Sequence, residues 1–247
     1  MRGRTIAVAA ALVAVFGAGA RAATATEPEV VLRFAPPSTP DGVPPGWEAL
    51  AFRRIDRHTV YRVVPDGDAH ALRAESDRAA SGLYWPLDLD PRVYRTLSWR
   101  WRVDNVLVKA DATKKAGDDY PARLYVAFRY DPATATAWER VRFGAIKLLY
   151  GRYPPRVVIN YVWDNRLPIG TAIDNAYTDR AKMIVVRSGP DRIGQWVAET
   201  RDVYADYRRL FPGEPPAIAG IAVMTDTDDT GERAVAYYGP ISLRAGP

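Results

Sequence analysis

The chain has 247 residues, 48% hydrophobic and 26% charged, with a formal net charge of +5. That is an ordinary globular composition, with enough chain for one large β domain or two small ones. It contains no cysteine, which excludes disulfides, thiol catalysis, thiolate zinc sites and lipid attachment through cysteine.

The chain opens with "MRGRTIAVAAALVAVFGAGARA". Arg2 and Arg4 form a basic n-region, a mostly apolar uncharged run follows from Thr5 to Ala20, and Ala20-Arg21-Ala22 is a small-x-small cleavage signal. The pattern predicts a secretory signal peptide over residues 1–22, with Ala23-Thr24-Ala25 as a second cleavage point. The uncharged run of 16 residues is shorter than the roughly 20 that a membrane span needs. Cleavage removes three arginines, leaving 31 basic against 29 acidic residues, a net +2. No run of five or more Lys/Arg occurs, so no nucleic-acid partner is expected. Export with no later apolar span points to a periplasmic or secreted bacterial protein with no membrane span after cleavage.

Beyond a short tail, most predicted elements are strands: 30–34, 47–53, 59–64, 69–75, 82–87, 95–103, 122–130, 157–163, 182–188, 194–200, 217–225 and 234–243. Turn signals such as "PPSTPDGVPPG", "PDGD", "DLDP", "SGPDRIG" and "PGEPP" separate them. In "LSWRWRV", Leu97, Trp99, Trp101 and Val103 share one face, and Ser98, Arg100 and Arg102 the other. In "ARLYVAFRY", Leu124, Val126, Phe128 and Tyr130 oppose Arg123, Tyr125 and Arg129. Such alternation marks antiparallel sheets with one buried face.

Two helices are predicted. "TAWERVRFGAIKLLYG" (136–151) aligns Trp138, Val141, Ala145, Leu148 and Leu149 on one face. "RDVYADYRRLFPG" (201–213) has Asp202 as a candidate N-cap and stops at Pro212-Gly213. Many strands, few helices, no βαβ rhythm and no internal repeat predict one mainly β domain over 23–247. Its expected architecture is an antiparallel two-sheet sandwich of jelly-roll type with one or two short helices, and 131–156 reads as a helical insertion.

The ordered series "LSWRWRV", "KAGDDYPARLYVAF", "VINYVWDN", "GQWVAETRDVYADYRRLF" and "GIAVMTDTDDT…AYYGPI" resembles an exported bacterial family, domain-of-unknown-function family 3047. The resemblance spans residues 30–243 and implies a galactose-binding-like or jelly-roll β-sandwich. It brings no reaction, substrate or catalytic residue. One departure is Asp229, where the family pattern has Asn, and it adds a negative charge.

Only His58 and His70 are present, so neither a Ser-His-Asp triad nor a multi-histidine metal site is expected. The carboxylates are richer. Asp118 and Asp119 precede a strand; Asp226, Asp228, Asp229 and Glu232 follow another, and Asp164 follows a third. Strand-end loops are where a sandwich carries binding residues.

Asp226, Asp228, Thr230 and Gly231 match positions 1, 3, 5 and 6 of an EF-hand loop, but position 12 is Tyr237 and the flanks read as strands. A calcium site in a sandwich, built from Asp226, Asp228 and Asp119, is one reading; an Asx-rich turn capping backbone N–H groups is the other. Asp118 or Asp119 with Asp226 or Asp228 could also form the carboxyl pair of a glycan hydrolase or lyase. Arg100, Arg102, Arg123 and Arg129, with Tyr125, form a cationic platform if their strands adjoin; cross-strand acid pairing on a solvated sheet is the alternative.

Trp99 and Trp101 read as core, whereas Trp163 is the candidate aromatic beside a polar loop. The function expected is non-catalytic binding of a carbohydrate or other polar ligand at a strand-end rim of Asp118, Asp119, Arg123, Trp163, Asp226 and Asp228. An aspartate-dependent glycan hydrolase or lyase, and a structural or assembly protein of the envelope, are the alternatives. Calcium is the one cofactor that the residues suggest.

Overall fold

The computed structural model describes residues 28–37, 42–52, 55–133 and 154–246, with the isolated positions 135, 137 and 140. The expected signal peptide and most of the helix expected over 136–151 lie outside the described residues.

In chain order the strands are β1 (Glu29–Leu32), β2 (Glu48–Leu50), β3 (Val60–Asp66), β4 (Ala69–Asp77), β5 (Ala80–Leu89), β6 (Thr96–Val103), β7 (Ala122–Phe128), β8 (Val157–Asp164), β9 (Ala172–Asn175), β10 (Thr178–Ser188), β11 (Val197–Asp202), β12 (Ile218–Asp226), β13 (Arg233–Tyr238) and β14 (Ile241–Arg244). They form two sheets. One runs β1-β14-β6-β13-β4-β3, with β11 also paired to β6; the other runs β2-β5-β12-β7-β8-β10-β9. The protein is therefore a mainly β, two-sheet sandwich of jelly-roll type.

The expected alternation holds on β6, where Leu97, Trp99, Trp101 and Val103 are buried and Ser98, Arg100 and Arg102 are half-buried. These side chains meet the inner face of the other sheet. Trp99 packs on Tyr161 with ring centroids 5.3 Å apart, and Trp101 on Trp163 at 6.1 Å. Each such ring contributes about 1.5–3 kcal/mol by leaving water. The helix α1 (Val203–Leu210) starts where expected: the Asp202 side chain accepts from the Ala205 N–H at 2.8 Å, satisfying one of the free donors of the first turn.

Three expectations are corrected. The strand expected over 234–243 is two strands, β13 and β14, because Gly239-Pro240 interrupts it and proline has no N–H for a ladder. The short β9 was not expected; it forms a hairpin with β10. That hairpin explains the third correction, since the sheets are not wholly antiparallel. β10 lies between β8 and β9 and runs parallel to β8, from Ala181 opposite Val158 to Ser188 opposite Asp164. Two reversals, β8 to β9 and β9 to β10, return the chain to the direction of β8.

Candidate functional site

The strands β7 and β12 are neighbours, with Met224 opposite Arg123 and Ala222 opposite Tyr125. Side chains alternate along a strand, so Ala222, Met224 and Asp226 share the outer face of this sheet with Arg123, Tyr125 and Ala127. At one end of that face the loops close over it. Tyr120 packs on Val162, Met183 and Val185, and the chain from 118 to 121 meets the turn that follows β12.

Arg123 sits in the middle, 3% exposed. Its Nε donates to Asp226 Oδ1 at 2.8 Å, and its terminal nitrogen donates to Asp226 Oδ2 and to the Asp118 carbonyl. A guanidinium nitrogen lies 3.7 Å from Asp118 Oδ1, and the guanidinium carbon stands 4.4 Å over the Tyr120 ring. Burial opposes the charge on both partners: against it, Asp226 holds the Arg123 guanidinium well above its ordinary pKa, while burial, offset only in part by Arg123, pushes the Asp226 carboxyl well above the usual carboxylate range. Asp118 Oδ2 also accepts from the Asn175 amide at 2.7 Å.

Asp119 ties the second loop. Its carboxylate accepts from the backbone N–H of Thr230 at 2.6 Å and of Asp229 at 3.4 Å. The turn closes at Gly231, whose φ of +68° is left-handed and whose N–H donates to the Thr227 carbonyl at 3.0 Å. Asp229 accepts from the Tyr177 hydroxyl at 2.9 Å. Glu232 accepts from the N–H groups of Val108 and Lys109 at 3.1 and 2.9 Å. Burial first, then the Asp119 and Asp229 carboxylates, raises Asp228 to about 6.

The structure thus brings Asp118, Asp119, Arg123, Asp226 and Asp228 together. One carboxylate oxygen from each of Asp119, Asp226 and Asp228 lies within 4.8 Å of the others, so the three could hold a metal ion. Hard oxygen donors suit calcium. Two of the three carboxylates are nonetheless engaged already, Asp226 by the Arg123 cation and Asp119 by two N–H groups.

Burial keeps a sugar from most of these acids: Asp118 is 6%, Asp119 0% and Asp226 2% exposed, whereas a glycosidase carboxyl pair must flank a bound sugar.

Trp163 is corrected outright. It is 0% exposed, packed in the core between the sheets, and its indole N–H donates to the Gly189 carbonyl at 3.1 Å. The expected arginine platform also fails, because β6 and β7 belong to different sheets. Arg100 pairs with Asp66, Arg102 with Asp104 at 3.4 Å, and Arg129 with Asp88 at 2.5 Å.

Further along the same outer face lies a groove of 720 Å³ that the sequence reading did not anticipate. Ala127, Ala219 and Ala222 make its floor, and Phe52, Tyr84, Tyr125 and Tyr130 line it. Tyr84 packs directly against Gly220, where an added Cβ would stand 2.4 Å from its ring carbons and hydroxyl. Its hydroxyl donates to the Ala219 carbonyl at 2.6 Å. The Tyr125 hydroxyl donates to Met224 Sδ at 3.4 Å. Arg129, with its partner Asp88, forms the charged rim. The one signal that could have pointed here is glycine and alanine at 219, 220 and 222 in a strand facing tyrosines.

Fold and site define a two-sheet β-sandwich with an internal arginine–carboxylate cluster beside an aromatic-lined groove. The family model described as Protein of unknown function (DUF3047) matches residues 45–242, and the chain belongs to that family. No curated protein matches the chain.

Among solved structures it is similar to the family 11 carbohydrate-binding module of the cellulosomal cellulase Lic26A-Cel5E of Clostridium thermocellum. The identity is 9% and the TM-score 0.43, covering 90% of this chain and 97% of that one. It is also similar to the low-affinity xylan-binding module CBM86 from Roseburia intestinalis, at 11% identity and a TM-score of 0.35, covering 88% and 96%. A third is the xyloglucanase domain of NopAA from Sinorhizobium fredii, at 9% identity and 0.38, covering 81% and 94%. Values this low carry neither residues nor ligands from those proteins to this chain. No helix among the described residues is long and apolar enough to cross a membrane.

Proposed function

We propose that this is an exported, non-catalytic protein that binds a carbohydrate in the groove on the outer face of the β2–β9 sheet. The groove itself carries the reading. A pyranose ring has two apolar C–H faces and a belt of hydroxyls. Flat aromatic rings over a floor of alanines suit the faces, because the electron-rich ring face attracts C–H groups. The Arg129–Asp88 pair at the rim offers both donors and acceptors to hydroxyls. The signal-peptide pattern of residues 1–22 supports export to the periplasm or beyond.

In this reading the acids expected to contact ligand instead brace the site. Arg123, Asp118, Asp119, Asp226 and Asp228 hold together the ends of β7 and β12, the two strands that carry Tyr125 and Ala222. Arg123 supplies the cluster's positive charge, and calcium is not required. A hydrolase reading is disfavoured because Asp118, Asp119 and Asp226 are buried and none of them, nor half-buried Asp228, lines the groove.

A glycan array, with Tyr84→Ala and Tyr125→Ala as controls, tests the proposal. Wild-type protein is expected to bind at least one polysaccharide class, and the folded variants to lose at least tenfold in affinity. Reducing-end release by the wild type would overturn the non-catalytic assignment. Failure of a folded wild-type protein to bind any glycan would overturn the binding assignment.

A further inference from the structure

We infer that the saccharide taken by the groove carries an apolar substituent, an alkyl or acyl chain that lies on the groove floor. The inference rests on the reading of the groove as a saccharide site and names its ligand class more closely.

The first observation is the hydrogen-bonding state of the lining. A bare oligosaccharide presents many hydroxyls, each of which loses water on binding and needs a protein partner. Two of the tyrosine hydroxyls have their protons engaged. Tyr84 donates to the Ala219 carbonyl at 2.6 Å, and Tyr125 donates to Met224 Sδ at 3.4 Å. What these residues offer the groove is ring surface and hydroxyl acceptors, without a free O–H donor.

The second observation is the continuity of the apolar floor. Leu50, Ala127, Val158, Ala222 and Met224 line it, drawn from β2, β7, β8 and β12, and exposed Phe52 extends it at the edge. A hydrocarbon chain gains from every methylene laid on such a surface.

The third observation is polarity along the groove. Along β7 and just past its end the lining residues come in the order Tyr125, Ala127, Arg129, so the charged Arg129–Asp88 pair lies at one end and the apolar floor runs back from it. An amphiphile fits that gradient in one orientation, with sugar hydroxyls at the charged rim and the chain over the alanines.

The test uses three probes on the purified protein by calorimetry. They are n-octyl β-D-glucopyranoside below its micelle concentration, methyl β-D-glucopyranoside, and sodium octanoate. The octyl glucoside is expected to bind at least about tenfold more tightly than either of the others. Phe52→Asp, at an exposed position, is expected to erase that gain without changing the melting temperature. Ala127→Trp, which fills the floor, is expected to do the same where it folds.

Equal binding of the octyl and methyl glucosides overturns the inference and leaves the saccharide reading standing. Octanoate binding as tightly as octyl glucoside also overturns the inference, and with no glycan bound on the array it overturns the saccharide reading as well. An octyl advantage that survives Phe52→Asp puts the chain elsewhere and overturns the inference. Binding of none of the three probes overturns it as well.

Discussion

Arg123 on β7 donates from Nε to Asp226 Oδ1, at the end of β12, across 2.8 Å, with both side chains less than 5% exposed. A charge taken that far out of water is tolerable only with its partner in place, so the pair is far more costly to break than its presence is stabilising. Arg123→Met keeps most of the volume and removes the cation. It is expected to cost about 3–5 kcal/mol, because it leaves the Asp226 carboxylate buried beside Asp118 and Asp119. Urea unfolding followed by tryptophan fluorescence measures it. A cost under about 1 kcal/mol would mean that the carboxylates are neutral and the pair contributes little.

The same cation bears on calcium. If Arg123 supplies the positive charge that the cluster needs, a divalent ion adds little to the native protein. The melting temperature of the wild type is expected to move by less than about 2 °C between chelator and millimolar Ca²⁺. A site saturated a hundredfold above its Kd would add about 2.7 kcal/mol, a shift on the order of 5–10 °C in a chain of this size. In Arg123→Met the ion is expected to recover part of the lost stability through Asp119, Asp226 and Asp228. A large wild-type shift would show that ion and guanidinium share the cluster.

Both sheets were partly legible in the sequence, and for one reason. A strand with one face in the core repeats every two residues, and β6 shows it from Leu97 to Val103. The Asp202 cap was legible because a capping carboxylate acts within one turn. What lay beyond reach was adjacency. Arg123 and Asp226 are 103 residues apart in sequence, and only the pairing of β7 with β12 brings them together. Alternation assigned Arg123 to the outer face correctly, but it says nothing about whether loops cover that face. Trp163 was misplaced for the converse reason. In "VVINYVWD" both faces of β8 are largely buried, so the period that marks a solvated face is missing. The groove had no signal beyond the small residues at 219, 220 and 222, since its surface comes from β2, β5, β7, β8 and β12 and only the fold assembles it.

The place of Tyr84 in that groove depends on a single hydrogen atom at Gly220. A methyl there would stand 2.4 Å from the ring carbons and hydroxyl of Tyr84, so Gly220→Ala must lift the ring off β12 and break its bond to the Ala219 carbonyl. The expected stability cost is about 1–3 kcal/mol, the usual range for overpacking. The larger effect falls on binding, with glycan affinity at least about tenfold weaker and close to that of Tyr84→Ala. Parallel melting and calorimetry on the two variants check this. Full affinity in a folded Gly220→Ala protein would remove Tyr84 from the site.

Asp228 sets a pH dependence whose sign can be worked out. Burial, then Asp119 and Asp229, raises its folded pKa to about 6 from an ordinary 3.8. Between those values the folded chain holds more protons on this group than the unfolded chain does. Stability from Asp228 is therefore highest at the acid end and falls as pH rises through the window, levelling above about 6. Other carboxylates slope the opposite way: hydrogen bonds from Arg73 lower Glu75 and those from Arg92 lower Asp90. The contribution must accordingly be read as a difference. Asp228→Asn is neutral at every pH and removes only this group's slope. Urea midpoints of wild type and variant, measured from pH 4 to 7 in chelator, are expected to converge at the acid end. Toward pH 7 the variant should become the more stable of the two. A gap that stays constant across that range would show that Asp228 titrates at its ordinary value in a solvated turn.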